Sequence, residues 1–308
     1  MIPTIVKKKG KDTMTTRPFR FGVVSARARS GADWAEQARR LEDSGYSTLL
    51  MPDRLNSVLA PLPALAAAAA VTTSLRIGTY VLVGGRHNAA QIAHDTATLD
   101  FLSGGRFELG LGTGVSEGDF DRAGLPFGSA GTRLTQLEET IGAVRGFWRE
   151  FASGDPRQYP APQQRPGPPI MLGGNGKRLL SLAARLADGV SIGGSKGTLG
   201  PDAFAERIDW MRQEAGERFS SLEFSINVAA VVGAQPVPDY VRGRVRAFLG
   251  AEIEDLVREE SPFVLAGSTD TICDRLLALR ERFGLSYILT ADDQAGTLMP
   301  VVARLAGH

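Results

Sequence analysis

The chain of 308 residues holds one cysteine, three histidines and few aromatic side chains, and it has no excess of charge of either sign. The lone thiol, Cys273, excludes an internal disulfide, and nothing resembles a metal-binding Cys/His cluster; both absences fit a reducing cytoplasm. Lys and Arg number 35 against 34 Asp and Glu, a net charge of +1, so the molecule as a whole attracts neither nucleic acid nor an acidic membrane surface. A small-molecule partner is the expectation that remains. Membrane-length apolar runs are missing too: Pro63 to Val71, with five successive alanines, stops well short of the ~20 residues a span requires and reads as a buried helix. The opening MIPTIVKKKGKDTMTT has too short an apolar stretch for a signal peptide. It reads as a disordered tail over residues 1–18, with Met1 or Met14 as the natural start.

What is present is a repeat of strand and helix. RFGVV (20–24) has the apolar, β-branched pattern of a strand buried on both faces. A helix follows with Trp34, Ala38 and Leu41 at helical spacing, Asp33 as expected N-cap and Gly45 as its stop, then the strand STLLMPD. The pattern continues through a helix over 60–74, strand LRIGTYVLVG, a helix over 89–102, strand RFELGLG, a Gly-rich excursion over 115–131 and a helix over 132–151. Beyond the Pro-rich loop DPRQYPAPQQRPGPP come PIMLGG, a helix over 177–187, GVSIGG, a helix over 201–217, EFSINVAAVVG, helical material over 238–259, a helix over 269–283, LSYILT and a closing helix over 293–306. Eight parallel strands alternating with helices predict an α/β fold, a single (β/α)8 TIM barrel over 19–308, with an open doubly wound sheet as competitor.

In the barrel reading every glycine cluster falls at the C-terminal end of a strand, the face where such folds bind ligands. SGGRFELGLGTG (103–114) is not a dinucleotide fingerprint, because the third glycine is missing and no helix follows. MLGGNGKRLL places Gly173, Gly174, Asn175 and Gly176 directly before a helix that begins with Lys177 and Arg178, an arrangement suited to a phosphate or equally a structural turn with surface charges. One strand later Gly193, Gly194, Ser195 and Lys196 stand where they would complete the same pocket. MPDRL sets Asp53 and Arg54 at the end of strand two, as readily an ion pair or helix cap as a functional pair. Arg86, His87 and Asn88 end strand three; His87 lies on the active face, whereas His94 reads as a packed or solvated helix residue. No Ser-His-Asp order or carboxylate pair stands out, so a bound cofactor is expected to carry the reaction.

The combination of LDFLSGGRFELGLGTG with LGGNGKRLLSLAARLADG, between STLLMPD and the terminal VLAGSTDTICDRLLALRERFGLSYILT, resembles the bacterial luciferase-like superfamily of flavin and deazaflavin oxidoreductases from Arg20 onward. The resemblance implies a barrel binding coenzyme F420, or alternatively FMN, with a bulge and a non-proline cis peptide in strand three. That place is GTYV here, with Thr79, Tyr80 and Val81 against the ring and the cis bond expected between Tyr80 and Val81. It further implies that Asp53 contacts the ring system, that Gly112 and Thr113 run along the cofactor's side chain, and that Gly174, Asn175, Lys177 and Arg178 hold phosphate. Gly193 and Lys196 fall where ligand phosphate or substrate is held. Sugar-phosphate dehydrogenases of this group carry a histidine and a glutamate where this chain has Arg54 and Val115, which argues against that substrate. The activity implied is hydride transfer to or from a small organic C=C, C=N or carbonyl compound, with Arg54, His87 or Tyr80 to orient substrate or donate a proton. An FMN-dependent monooxygenase and a non-catalytic flavin-binding protein are the rival readings; a homodimer and a separate cofactor-reducing enzyme are the implied partners.

Overall fold

The computed structural model describes residues 17–155, 160–233 and 235–308. The expected tail lies outside them as far as residue 16, together with the choice of start and part of the Pro-rich loop. A closed, all-parallel barrel of eight strand positions forms the centre. Its first positions are β1 (Arg20–Val24), β2 (Thr48–Met51), the broken strand β3 (Arg76–Thr79) and β4 (Leu82–Val83), and β5 (Phe107–Gly112). β6 (Ile170–Gly174), β7 (Gly189–Ile192) and β8 (Glu223–Val228) follow; β9 (Ala230–Val232) and β10 (Val264–Ala266) pair with each other outside it, and β11 (Leu285–Ala291) completes the ring. Closure is made by β1 pairing with both β2 and β11, and by β3 pairing with both β2 and β5.

The surrounding helices are α1 (Gly31–Asp43), α2 (Pro61–Ala70), α3 (Ala89–Leu102), α4 (Glu117–Arg122), α5 (Ala130–Ser153) and α6 (Lys177–Leu186). After them come α7 (Pro201–Ala215), α8 (Asp239–Leu249), α9 (Ile253–Arg258), α10 (Thr269–Phe283) and α11 (Asp292–Leu305). None of the described helices is long and apolar enough to cross a membrane. Four details differ from the sequence expectation. The N-cap of α1 is Ser30, whose side chain accepts from Asp33 N, while Asp33 itself binds Arg29. The excursion over 115–131 contains α4, capped by Ser116. The helical stretch over 238–259 is cut at Gly250, whose φ of +67° is the left-handed conformation that ends a helix. EFSINVAAVVG is two strands, the second leaving the barrel for β10.

Apolar side chains divide into two layers. The larger packs the outer faces of the strands against the helices; the smaller, Leu50, Met171, Tyr287 and Leu289 with Val24 and Tyr80, fills the barrel itself. Beneath that inner layer, at the N-terminal ends of the strands, Glu108 binds both Arg20 and Arg76, and Arg20 reaches Glu223 at 2.8 Å. Arg20 also lies 4.3 Å over the Tyr287 ring, so the bottom of the barrel is lined by a network of charged groups.

One loop outside the barrel is held by a single carboxylate. Glu42 accepts from the backbone N–H groups of Thr73 and Leu75 at 2.9 and 2.8 Å and from the Ser74 hydroxyl at 2.9 Å. Burial opposes its ionisation, but hydrogen bonds from Ser74, Leu75 and Thr73 outweigh it and bring the pKa from 4.5 down to about 2. The folded pKa is the lower one, so this stabilisation is complete above the ordinary value and fades as the pH falls toward 2. Glu42→Ala is expected to lower stability by about 1–2 kcal/mol at neutral pH. Urea titrations at pH 7 and near pH 2.5 should show the gap between variant and parent shrinking in acid; an unchanged gap would sink the assignment.

Candidate functional site

Strand three breaks at the place the resemblance implied: the Tyr80–Val81 bond is cis. Gly78 pairs with Glu108 and Leu82 with Leu111, so three residues on one strand stand against two on the other, which is a bulge. Thr79 bridges the gap, its hydroxyl donating to Gly110 O at 2.7 Å and accepting from Gly110 N at 3.0 Å. Thr79 has no exposed surface, and its side chain serves as a clip between strands.

The glycines of β5 answer to this bulge. A Cβ at Gly110 would stand 2.0 Å from Thr79 O, and one at Gly112 would stand 2.5 Å from Val81 Cγ2. The first clash is with backbone, which cannot swing aside. Gly110→Ala is expected to cost about 3 kcal/mol and to lower the melting temperature by several degrees, as read by circular dichroism; a variant as stable as the parent would contradict this account.

Asp53, just beyond β2, is the hub of the mouth. Its Oδ2 accepts from Val83 N at 2.9 Å and meets His87 Nε2 at 2.8 Å; its Oδ1 lies 2.6 Å from Arg86 Nη2, which also donates to the Asp53 carbonyl at 2.7 Å. Burial works against the charged form, but hydrogen bonds from His87, Val83 N–H and Arg86 hold the carboxyl below its ordinary value. Asp53 is therefore an anion at neutral pH. Arg86 is 3% exposed in its side chain, and its Nε and Nη1 have no hydrogen-bond partner among the described residues. Leftover donors beside a cleft suit a ligand that brings an acceptor.

A cleft of about 700 Å³ opens above the bulge. Tyr80, Val81 and Val83 lie at its floor, with Asp53, Arg54, Gly112, Thr113 and Gly173 around them. All of these except Val83 are expected residues, and the structure brings them together. Arg54 forms an ion pair with Asp119 of α4 at 2.8 Å, which holds that helix beside the mouth. Tyr80 turns its hydroxyl into the barrel, 2.7 Å from Ser191 Oγ, and burial pushes its pKa up against that hydrogen bond. His87 does not line the cleft and acts on it through Asp53. His94 is solvated on α3, near Asp95.

The expected phosphate residues are arranged differently from a single pocket. Gly176 caps α6 without a side-chain hydrogen bond, so the first N–H groups of that helix are available. Lys177 and Arg178 turn away from the cleft into a surface groove with Glu138, Arg185 and Glu214, and Lys177 Nζ stands 5.5 Å from the Trp210 ring centre. Gly174 accommodates Leu179, since a Cβ there would be 2.1 Å from Leu179 Cδ2, and Gly193 N donates to Gly174 O at 2.8 Å. Gly194 makes room for Leu199 and Phe263, and exposed Lys196 packs on Gly250. Asn175 lies between these glycines, half-buried and outside the cleft lining. Sequence reasoning missed Asp119, Ser25, Asn227, Arg244, Asp292 and Asp293 on the cleft wall: they come from α4, the end of β1, β8, α8 and the start of α11, and no local motif marks them before the barrel closes.

Fold and site together define a (β/α)8 barrel with a ligand cleft over a bulged third strand. The model of the luciferase-like monooxygenase family matches residues 14–261, and the chain belongs to that family. It is 29% identical over 227 residues to the F420-dependent glucose-6-phosphate dehydrogenase of Nakamurella multipartita, covering 68% of this chain and 67% of that one. Among solved structures, the coenzyme F420 dependent tetrahydromethanopterin reductase from Methanopyrus kandleri superposes with a TM-score of 0.70 at 18% identity, over 94% of this chain and 98% of that one. The monooxygenase RslO1 from Streptomyces bottropensis gives 0.71 at 18% identity, over 93% and 98%. Both share the fold.

Proposed function

We propose that the protein is a coenzyme F420-dependent oxidoreductase that moves a hydride between the deazaflavin and a small organic substrate bearing a C=C, C=N or carbonyl group. The observation that carries this reading is the mouth itself: the bulge of strand three, the Asp53–Arg86 pair and the Gly112–Thr113 edge all open on one cleft. The likeness to a relative named as F420-dependent supports it.

The residues present fit a deazaflavin. Val81, Val83 and Phe120 offer apolar surface to a flat ring, and the unpartnered Nε and Nη1 of Arg86 suit its carbonyl edge. Gly173 at the end of β6 and the open N-terminus of α6 suit its phosphate. When bound, the deazaflavin supplies hydride chemistry at C5. The protein's part is to orient and to exclude water: Asp53 fixes Val83 and Arg86, and the Arg54–Asp119 pair holds α4 beside the opening. Asp53, ionised, positions groups and does not deliver the proton; Arg54 and His87 serve the cleft through carboxylates in the same way.

A second reading, an FMN-dependent monooxygenase, is supported by the match to the luciferase-like monooxygenase family. A homodimer and a separate enzyme that reduces the cofactor belong to the proposal as well. Titrating the purified protein with coenzyme F420 and with FMN, followed by fluorescence, tests it. Micromolar F420 binding with weaker FMN binding is the expected result. Tight binding of FMN alone would overturn the first reading in favour of the second, and binding of neither would remove both.

A further inference from the structure

Charges along the cleft cancel, while its apolar surface stands uncovered. Arg54 is paired with Asp119, Arg86 with Asp53 and Arg244 with Asp293. Two charged residues of the lining are left, Arg27 and Asp292, one of each sign. Asp292 accepts from the Ser25 hydroxyl at 2.7 Å and from Asp293 N at 2.8 Å, and it meets no cation among the described residues. Four arginines against four aspartates leave no surplus positive charge for a second anion on the substrate. A phosphate or carboxylate on the substrate, away from the open N-terminus of α6, would exchange water for a nearly neutral wall, at a desolvation cost that one exposed arginine does not offset.

Apolar side chains on the same wall stand exposed. Val58 is 69% exposed, Val115 88% and Phe248 74%. They come from three separate segments, the loop after β2, the loop after β5 and helix α8, and all three line the cleft that Asp53 anchors. Apolar groups that converge from distant parts of the chain on one polar-floored opening mark a ligand groove.

We infer that the substrate is a neutral molecule with an apolar body, held by Val58, Val115 and Phe248 with its reactive group toward the bulge. The inference rests on the reading of this cleft as the reaction site.

Calorimetric titration with 2-alkanones from butanone to octanone, with and without coenzyme F420, tests it, with glucose 6-phosphate as the charged comparator. Affinity is expected to rise about fourfold per added methylene until the groove is filled. Phe248→Ala should lower the affinity for octanone about tenfold, Val58→Ala should flatten the series less, and glucose 6-phosphate should bind more weakly than either end of it. Affinity independent of chain length, or tighter binding of the sugar phosphate, would overturn the inference. So would a Phe248→Ala variant that binds ketones as the parent does but loses a dimer on size-exclusion chromatography, since the apolar edge would then be an interface between copies. Cofactor affinity is read in the same titrations: a ketone series that holds while F420 fails to bind would sink the cofactor reading and leave the substrate class standing.

Discussion

Glu108→Ala is expected to lower the unfolding free energy by about 3–5 kcal/mol, the range found when one partner is removed from a buried ion pair. Glu108 has a side chain only 7% exposed, and it joins Arg20 on β1 to Arg76 on β3 across the floor of the barrel. Without it two guanidinium groups are left without their shared counter-charge at the feet of β1 and β3, with β2 between them. Arg20 and Arg76 keep a quarter of their side-chain surface in water, so the loss should fall toward the lower end of that range. Burial opposes the charged form of Glu108, but the charges of Arg20 and Arg76 and their hydrogen bonds win and set its pKa below the ordinary 4.5. Its contribution is therefore whole above that ordinary value and is lost as the pH drops through the folded one.

Glu223, on the same Arg20, behaves in the opposite sense. Burial raises its pKa, Arg20 lowers it, and the neighbouring charge of Glu108 raises it again; the sum is upward. A raised carboxyl stabilises the fold in acid and loses that contribution as the pH rises through its folded pKa. Glu223→Gln should accordingly cost much less than Glu108→Gln at pH 7. Urea unfolding of both variants decides the matter, and equal losses would show that the floor is a simple sum of pairs with no hierarchy. Catalytic turnover should survive Glu223→Gln, because the network lies at the end of the barrel opposite the cleft.

The barrel was legible because its strands are near-continuous apolar runs between helices, and RFGVV, STLLM and LSYILT fall within a residue or two of β1, β2 and β11. Elements built from short or mixed segments were not. α4 has six residues within a Gly-rich stretch, and β10 has three, so neither offers enough sequence for a period to show. Glycine was the most ambiguous signal at the site. At Gly110 and Gly112 the demand for a missing Cβ comes from Thr79 and Val81, some thirty residues earlier in the chain, and at Gly174 it comes from Leu179 on the following helix, so none of the three demands a ligand. The charge network beneath the barrel was equally hidden: Arg20, Arg76 and Glu223 begin strands, a position that reads as solvent-exposed until closure brings them together.

Replacing Asp53 should affect the cleft more than any other single change. Asp53→Ala removes the acceptor of Val83 N–H and His87 and the counter-charge of Arg86, whose side chain is almost wholly buried. An unpaired buried guanidinium costs about 3–5 kcal/mol, part of which appears as lost stability and part as displacement of the segment from Val83 to His87. On the proposed reading that segment floors the cofactor site, so coenzyme F420 affinity should fall by at least about a hundredfold, equivalent to roughly 2.7 kcal/mol. Asp53→Asn keeps the shape and the acceptor for Val83, and should retain more of both. The two variants also separate a positioning role from an acid-base one. The carboxyl of Asp53 is held below its ordinary value, so it stays ionised across the pH range in which an enzyme of this kind would be assayed. Asp53→Asn should lower kcat/KM by a similar factor at every pH between about 5 and 8, leaving the shape of the profile intact. Should the variant lose one limb of that profile, Asp53 would be the proton-transfer group itself, and the division of labour drawn from its hydrogen bonds would fail.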